Sequence, residues 1–285
     1  KPVKSDKKSP GISDGRKGKV PDPIRPWFEA SEDLGNHIGI RFGRIAPGSS
    51  DPDWVYRSHA DFDGIGGFAD ILMKRGVDVG PLKTIPHKRE PSWGPFFKSL
   101  PLYLQKRQKV IWNRPLESCP SRSDMVPPAV AWHVFDEEMT ERIRTESRKG
   151  GYTVNSFLLK HLSDAIFPDI SEKTPFIPWM VPVNLRGKAS RESELENHSS
   201  YVRVLVNKND SSAQVHHKIY DELDKGGHWA SWRSYEGMQF LPRAVKRHLI
   251  KIDLVTAQWM IGAFSNIGVW DNEKSFTGEN IDGDW

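Results

Sequence analysis

Apolar and polar residues alternate at Ile38, Ile40 and Phe42 against Gly39, Arg41 and Gly43, and a second short apolar-aromatic run follows at Trp54-Val55-Tyr56-Arg57-Ser58-His59. Both segments read as strands, and Pro47-Gly48-Ser49-Ser50 between them is turn chemistry, so an antiparallel pair is expected. Asp63-Gly64-Ile65-Gly66-Gly67 comes next, and Phe68, Ile71 and Leu72 then recur at helical spacing until Gly76. That order predicts strand, tight turn and helix.

Further on, Trp132-His133-Val134-Phe135 predicts a short strand, and Asp136 a capped helix that carries Met139 and Ile143 and ends at Gly150-Gly151. Thr153 opens a stronger helix with Val154, Phe157, Leu158, Leu162, Ala165 and Ile166 on one stripe. Phe176–Leu185 and Ser200–Val206 predict strands, the second with Val202, Val204 and Val206 on one face and Tyr201, Arg203 and Leu205 on the other. Val215, Ile219 and Leu223 mark an amphipathic helix, a Trp-rich helical stretch runs to about Ile252, and a last strand leads to Phe264-Ser265-Asn266-Ile267-Gly268-Val269. Strands and helices mixed in this order favour an α/β (α+β) fold with a partly antiparallel sheet over an all-α one.

Composition changes the picture at the N-terminus. The chain of 285 residues carries a formal charge of +4, yet residues 1–20 alone hold seven basic residues against two acidic ones, leaving 34 basic and 35 acidic residues in the rest. A near-neutral body argues against a nucleic-acid partner, which needs basic residues clustered on a folded face. The organisation expected is a basic disordered tail over 1–20, a partial N-terminal lobe over 21–76, a crossover over 77–128 with nine prolines, and a C-terminal lobe over 129–285. One cysteine, Cys119, excludes an intrachain disulfide. No apolar run is long enough for a transmembrane segment, and a cytoplasmic location is the expectation.

Chemistry concentrates in Ser58-His59-Ala60-Asp61-Phe62-Asp63-Gly64, an H-x-x-x-D-G between a strand and a helix. A histidine leaving a strand projects beyond the sheet, where its near-neutral pKa suits proton abstraction. An aspartate four residues on can fold back to hold the local geometry, and Gly64 and Gly66 let the backbone turn tightly. Spacing alone equally allows a structural histidine beside a helix-capping Asp63. His216-His217-Lys218-Ile219-Tyr220-Asp221 copies a doubled-histidine spelling, but it lies inside a helical pattern with no strand feeding it. The remaining histidines show no metal-ligand spacing.

The motif resembles the active-site signature of the CoA-dependent acyltransferase superfamily, the group that includes chloramphenicol acetyltransferases, BAHD-type transferases, condensation domains and wax ester synthase/diacylglycerol acyltransferases. Four further segments are similar to stretches of the wax-ester branch, in order over residues 25–270. They are Arg25-Pro26-Trp27-Phe28-Glu29, Thr153-Val154-Asn155-Ser156, Val181-Pro182-Val183-Asn184-Leu185-Arg186 with Asn197-His198-Ser199-Ser200 after it, and Phe264-Ser265-Asn266-Ile267-Gly268. Ser58 stands where many relatives have a first histidine.

The resemblance implies two chloramphenicol-acetyltransferase-like lobes, each a mixed sheet with helices, and acyl transfer from acyl-CoA, a co-substrate and not a bound cofactor, to a hydroxyl or amine acceptor. It makes His59 the general base, Asp63 the residue that orients the motif loop, Gly64 the motif turn, and Ser265 or Asn266 candidate oxyanion or substrate contacts, with no metal. Relatives carry a longer stretch ahead of the Pro-Trp segment, so three expectations stand: the sequence is a fragment, the first lobe is truncated, or a second chain completes it. The arginine that pairs with the motif aspartate in several members would lie in that stretch, which leaves Asp63 without a named partner. Two other readings stay open: a catalytically inactive acyltransferase-like binding or scaffold protein, and a condensation-type domain that uses carrier-bound thioesters.

Overall fold

A computed structural model describes residues 22–35, 38–44, 52–82, 91–98, 110–113, 133–189, 191–256 and 260–266. The basic tail, the Pro47–Ser50 turn, Cys119 and Ile267-Gly268-Val269 lie outside these residues, as does most of the Pro-rich crossover. The fold is mixed α/β, with two small sheets. None of the described helices is long and apolar enough to cross a membrane.

Helix α1 (Arg25–Glu32) comes first, its start held by Asp22, whose Oδ1 accepts the main-chain N–H of Ile24 at 2.9 Å and of Arg25 at 3.0 Å. Strands β1 (Gly39–Arg44) and β2 (Asp53–Ser58) pair antiparallel, from Gly39 opposite Ser58 to Arg44 opposite Asp53. Helix α2 (Gly64–Met73) follows. Its Phe68, Ala69 and Leu72 bury against Val79 and Leu82, with Phe42 of β1 packed alongside, to form a small apolar cluster.

The larger core belongs to the second sheet. Helices α3 (Glu137–Lys149) and α4 (Val154–Ile166) are capped by Asp136 and Thr153 as the sequence predicts. Residues 133–135, by contrast, form no strand; they are exposed, and the rings of His133 and Phe135 pack on each other. Strand β3 (Phe176–Asn184) pairs antiparallel with β4 (Ser199–Asn207) and, over two residues, parallel with β5 (Gly262–Ala263). Ile261 and Phe264 donate to the carbonyls of Pro178 and Met180. A residue's N–H and C=O point to the same side of a strand, so Pro178 and Pro182 turn donor-less nitrogens towards β5. The parallel ladder is short for that reason.

Helices α5 (Ser212–Asp224), α6 (Gly227–Gly237) and α7 (Arg243–Thr256) complete the order. Val215 and Ile219 of α5 and Trp229 and Trp232 of α6 join Ile177, Trp179, Val181, Val202, Val204 and Val206 in the core. The apolar stripe expected on α4 is not its buried face: Leu162 is 40% exposed, whereas Ser156, Leu159, Lys160 and Ser163 are buried. Polar groups can face inward here because they are paired. Ser163 Oγ donates to Leu159 O at 2.7 Å and accepts from Trp179 Nε1 at 2.9 Å, and Lys160 Nζ meets Asp164 and, at 3.4 Å, Lys208 O.

Candidate active site around His59

The H-x-x-x-D-G segment is a tight connection from β2 to α2. Ser58 Oγ accepts the N–H of Ala60 at 3.2 Å, and the N–H groups of Asp61 and Phe62 return to Ser58 O. The serine in place of a first histidine therefore serves the turn. Gly64 is the first residue of α2, and its φ is not positive. The glycine the packing demands is Gly66: a Cβ there would lie 2.0 Å from Leu195 O and 2.9 Å from Arg186 Nη2. Of the two glycines expected to serve the turn, Gly66 is the one closely approached, where α2 meets the loop between β3 and β4.

Asp63 caps α2 and ties it to that loop. Its Oδ1 accepts from Gly66 N and Arg186 Nη2, both at 2.8 Å, and its Oδ2 accepts from His198 N at 2.8 Å. The Asp63–Arg186 ion pair is almost fully buried, at 5% and 1% side-chain exposure. Arg186 spends its other donors on Glu194 O, Glu196 O and Asn184 Oδ1. The partner that sequence reasoning could not name is thus the arginine of Val181-Pro182-Val183-Asn184-Leu185-Arg186, a segment already singled out but given no role.

His59 sits just beyond β2, with its N–H donating to Ile38 O. Its Nδ1 lies 2.9 Å from Phe62 O and 3.0 Å from Asn197 Nδ2. A carbonyl oxygen can only accept, so a hydrogen bond to Phe62 O requires the proton on Nδ1 and leaves the lone pair on Nε2. Nε2 has no hydrogen-bond partner among the described residues. The ring packs on Phe28 of α1, with centroids 5.0 Å apart. Burial pushes the pKa of His59 below the ordinary imidazole value, against smaller upward pulls from the Phe62 carbonyl and Asp63. The neutral ring is the form a general base needs.

Helix α1 is held against the site by charge. Arg191, buried, grips both Asp22 oxygens at 2.6 and 2.9 Å, and Arg25 Nη2 meets Asp61 Oδ1 at 2.6 Å. Asn197 N–H donates to Asp61 O, and Phe62 bridges Glu196 in antiparallel fashion. Three of the singled-out segments therefore converge on His59. The other two meet each other: Asn266 Nδ2 donates to Asn155 Oδ1 at 2.7 Å, at the start of α4. Ser265 and Asn266 are exposed, and that hydrogen bond does not join them to His59. His216 lies 3.3 Å from Ser156 Oγ on the flank of α5, while His217 is exposed. Among the described residues no cluster of three or more His, Cys, Asp or Glu side chains could hold a metal ion.

Comparison with known proteins adds little to this geometry. No family model and no curated protein matches the chain. Among solved structures it is similar to polyketide synthase associated protein 5 from Mycobacterium tuberculosis, at 13% identity and a TM-score of 0.36, over 64% of this chain and 52% of that one. The chain spans about half the length of that protein, and the similarity is too slight to bear on fold or function.

Proposed function

We propose that the protein transfers an acyl group from acyl-CoA to a hydroxyl or amine acceptor with His59 as general base, within a two-lobed acyltransferase-like fold. The observation that carries this reading is the placement of His59 at the β2–α2 turn: burial favours its neutral ring, and Nδ1 lies 2.9 Å from Phe62 O, a contact that, with the proton on Nδ1, leaves the Nε2 lone pair for a base. The family resemblance supplies the substrate class. Two sheets with separate apolar clusters among the described residues favour two lobes.

In this mechanism Nε2 takes the proton from the acceptor O–H or N–H as the acceptor attacks the thioester carbonyl. The tetrahedral intermediate collapses with cleavage of the C–S bond, and the imidazolium returns the proton to the departing thiolate. Ester or amide and free CoA are the products, and no acyl-enzyme forms. Asp63 and Arg186 hold the turn and take no proton. Ser265 or Asn266 would serve the oxyanion or the acceptor, a role that requires the strand end after β5 to approach the substrate.

The test is thiol release from acyl-CoAs with a panel of alcohols and amines. A positioned base contributes typically about 10²–10⁴ in rate, so His59→Ala, folded as judged by circular dichroism, is expected to lose turnover by that factor. Near-full transfer by this variant would overturn the assignment. Acyl-CoA binding by the wild-type protein without any turnover would favour an inactive binding relative instead.

A further inference from the structure

His59 Nδ1 has two neighbours that make opposite demands on it. Phe62 O, at 2.9 Å, can only accept, and the Asn197 side-chain nitrogen, at 3.0 Å, can only donate. The orientation of the Asn197 amide is fixed from its far side. Its Oδ1 accepts the N–H of Ser199 at 3.0 Å and the Ser199 hydroxyl at 2.8 Å, so the oxygen faces Ser199 and the nitrogen faces His59. Nδ2 also donates to the main-chain carbonyl of His59 at 2.8 Å. Asn197 is itself buried, at 1% exposure, and its N–H is bound to Asp61 O.

We propose that Asn197 is a positioning residue for His59. It fixes the histidine through the main-chain carbonyl and, as a donor set against Nδ1, withholds the second acceptor that would stabilise the imidazolium. The inference rests on the general-base reading. Both carboxylates of the segment are engaged elsewhere: Asp63 on Arg186, Gly66 and His198, and Asp61 on Arg25. His59 therefore works with a single neutral acceptor, Phe62 O, behind it. This suits a base that must also give its proton back: an imidazolium gripped by a carboxylate would release it to the thiolate less readily.

The experiment follows the titration of the His59 ring by NMR in protein labelled at histidine, with His59→Ala identifying its signal among the ten histidines. Asn197→Asp sets an acceptor where the amide donor stood. The expected result is an upward shift of the His59 midpoint, with the acid limb of kcat/KM moving the same way. Ser199→Ala removes one of the two anchors of Oδ1, lets the amide turn, and is expected to shift the midpoint upward by less, with little risk to folding. Asn197→Ala is expected to lower kcat, by less than the roughly 10²–10⁴ that the base itself contributes, with KM held. The remaining charged groups about the ring, namely Asp63 with Arg186, the Arg25–Asp61 pair and His198, are the same in all three variants.

If neither Asn197→Asp nor Ser199→Ala moves the His59 titration, the proposal is overturned whatever the activity. If the titration moves while His59→Ala still transfers acyl groups, Asn197 positions the ring as proposed and the general-base reading fails.

Discussion

The hairpin-and-helix unit of β1, β2 and α2 and the three-stranded sheet with its helices are built to different standards. The first buries Phe68, Ala69, Leu72, Val79 and Leu82; the second buries 17 apolar residues, two tryptophans of α6 among them. The candidate base belongs to the smaller unit. What holds it in place comes from the larger one: Arg186 on Asp63, His198 N–H on the same carboxylate, and Asn197 on the His59 carbonyl. A small apolar cluster gives a hairpin little stability of its own, so placement of the base depends on polar contacts that cross between the units.

Arg186→Ala breaks that comparison most severely. Asp63 would be left buried with two main-chain N–H groups and no guanidinium partner, and removing one partner of a buried pair typically costs about 3–5 kcal/mol. The expected outcome in urea, followed by tryptophan fluorescence and by proteolysis within β1–α2, is loss of the hairpin unit at a lower concentration than the sheet. A single transition at the wild-type midpoint would mean that the units do not depend on this pair. The surface pair Arg243–Asp33 makes two hydrogen bonds where Arg186–Asp63 makes one, yet at 58% and 27% exposure its loss is expected to cost little, because water can replace an exposed partner.

Gly66→Ala sharpens the same comparison from the steric side. The substitution favours helix by propensity, by up to about 1 kcal/mol. Its methyl would meet the main-chain oxygen of Leu195, a contact that only movement of the whole β3–β4 loop can relieve. Overpacking of this kind costs about 1–3 kcal/mol, so net destabilisation is expected in the same urea assay. A gain in stability would show that α2 sits further from the loop than described.

How much of this was legible in the sequence differs between the two units for physical reasons. Periodicity placed β1, α2, β4 and α5, because one face of each is the more apolar, while β2 and β3 were read from short apolar-aromatic runs. It misread α4, where Ser156, Lys160 and Ser163 are buried through hydrogen bonds and the more apolar face is only partly covered. Polar burial has no period to read. The motif residues His59 and Asp63 were visible as letters, but their partners were not: Arg186 and Asn197 lie 123 and 138 positions away in the chain, and only the folded loop brings them in. The local turn suggested Gly64 and Gly66 alike, and the long-range contact singles out Gly66.

The smallest effect expected is a pH dependence shared by the two units. His59 on the hairpin side and His198 on the sheet side both have pKa values pushed below the ordinary 6.5, in each case first by burial. Below pH 6.5 the unfolded chain binds protons that the folded protein excludes, so stability declines as pH falls from there towards the lowered folded values, and neither ring contributes a slope above it. Carboxylates do not mimic this. Asp22, held low by Arg191 against its own burial, loses its contribution only as pH falls below 3.8. Urea midpoints measured from pH 7.5 to 5 should therefore be flat at first and then fall, and His198→Gln should remove part of the fall while leaving the parts due to His59 and to His216, whose pKa burial also lowers. A midpoint unchanged down to pH 5 in the wild-type protein would mean that the two rings are open to water, and that the clamp between the units is looser than its hydrogen bonds imply.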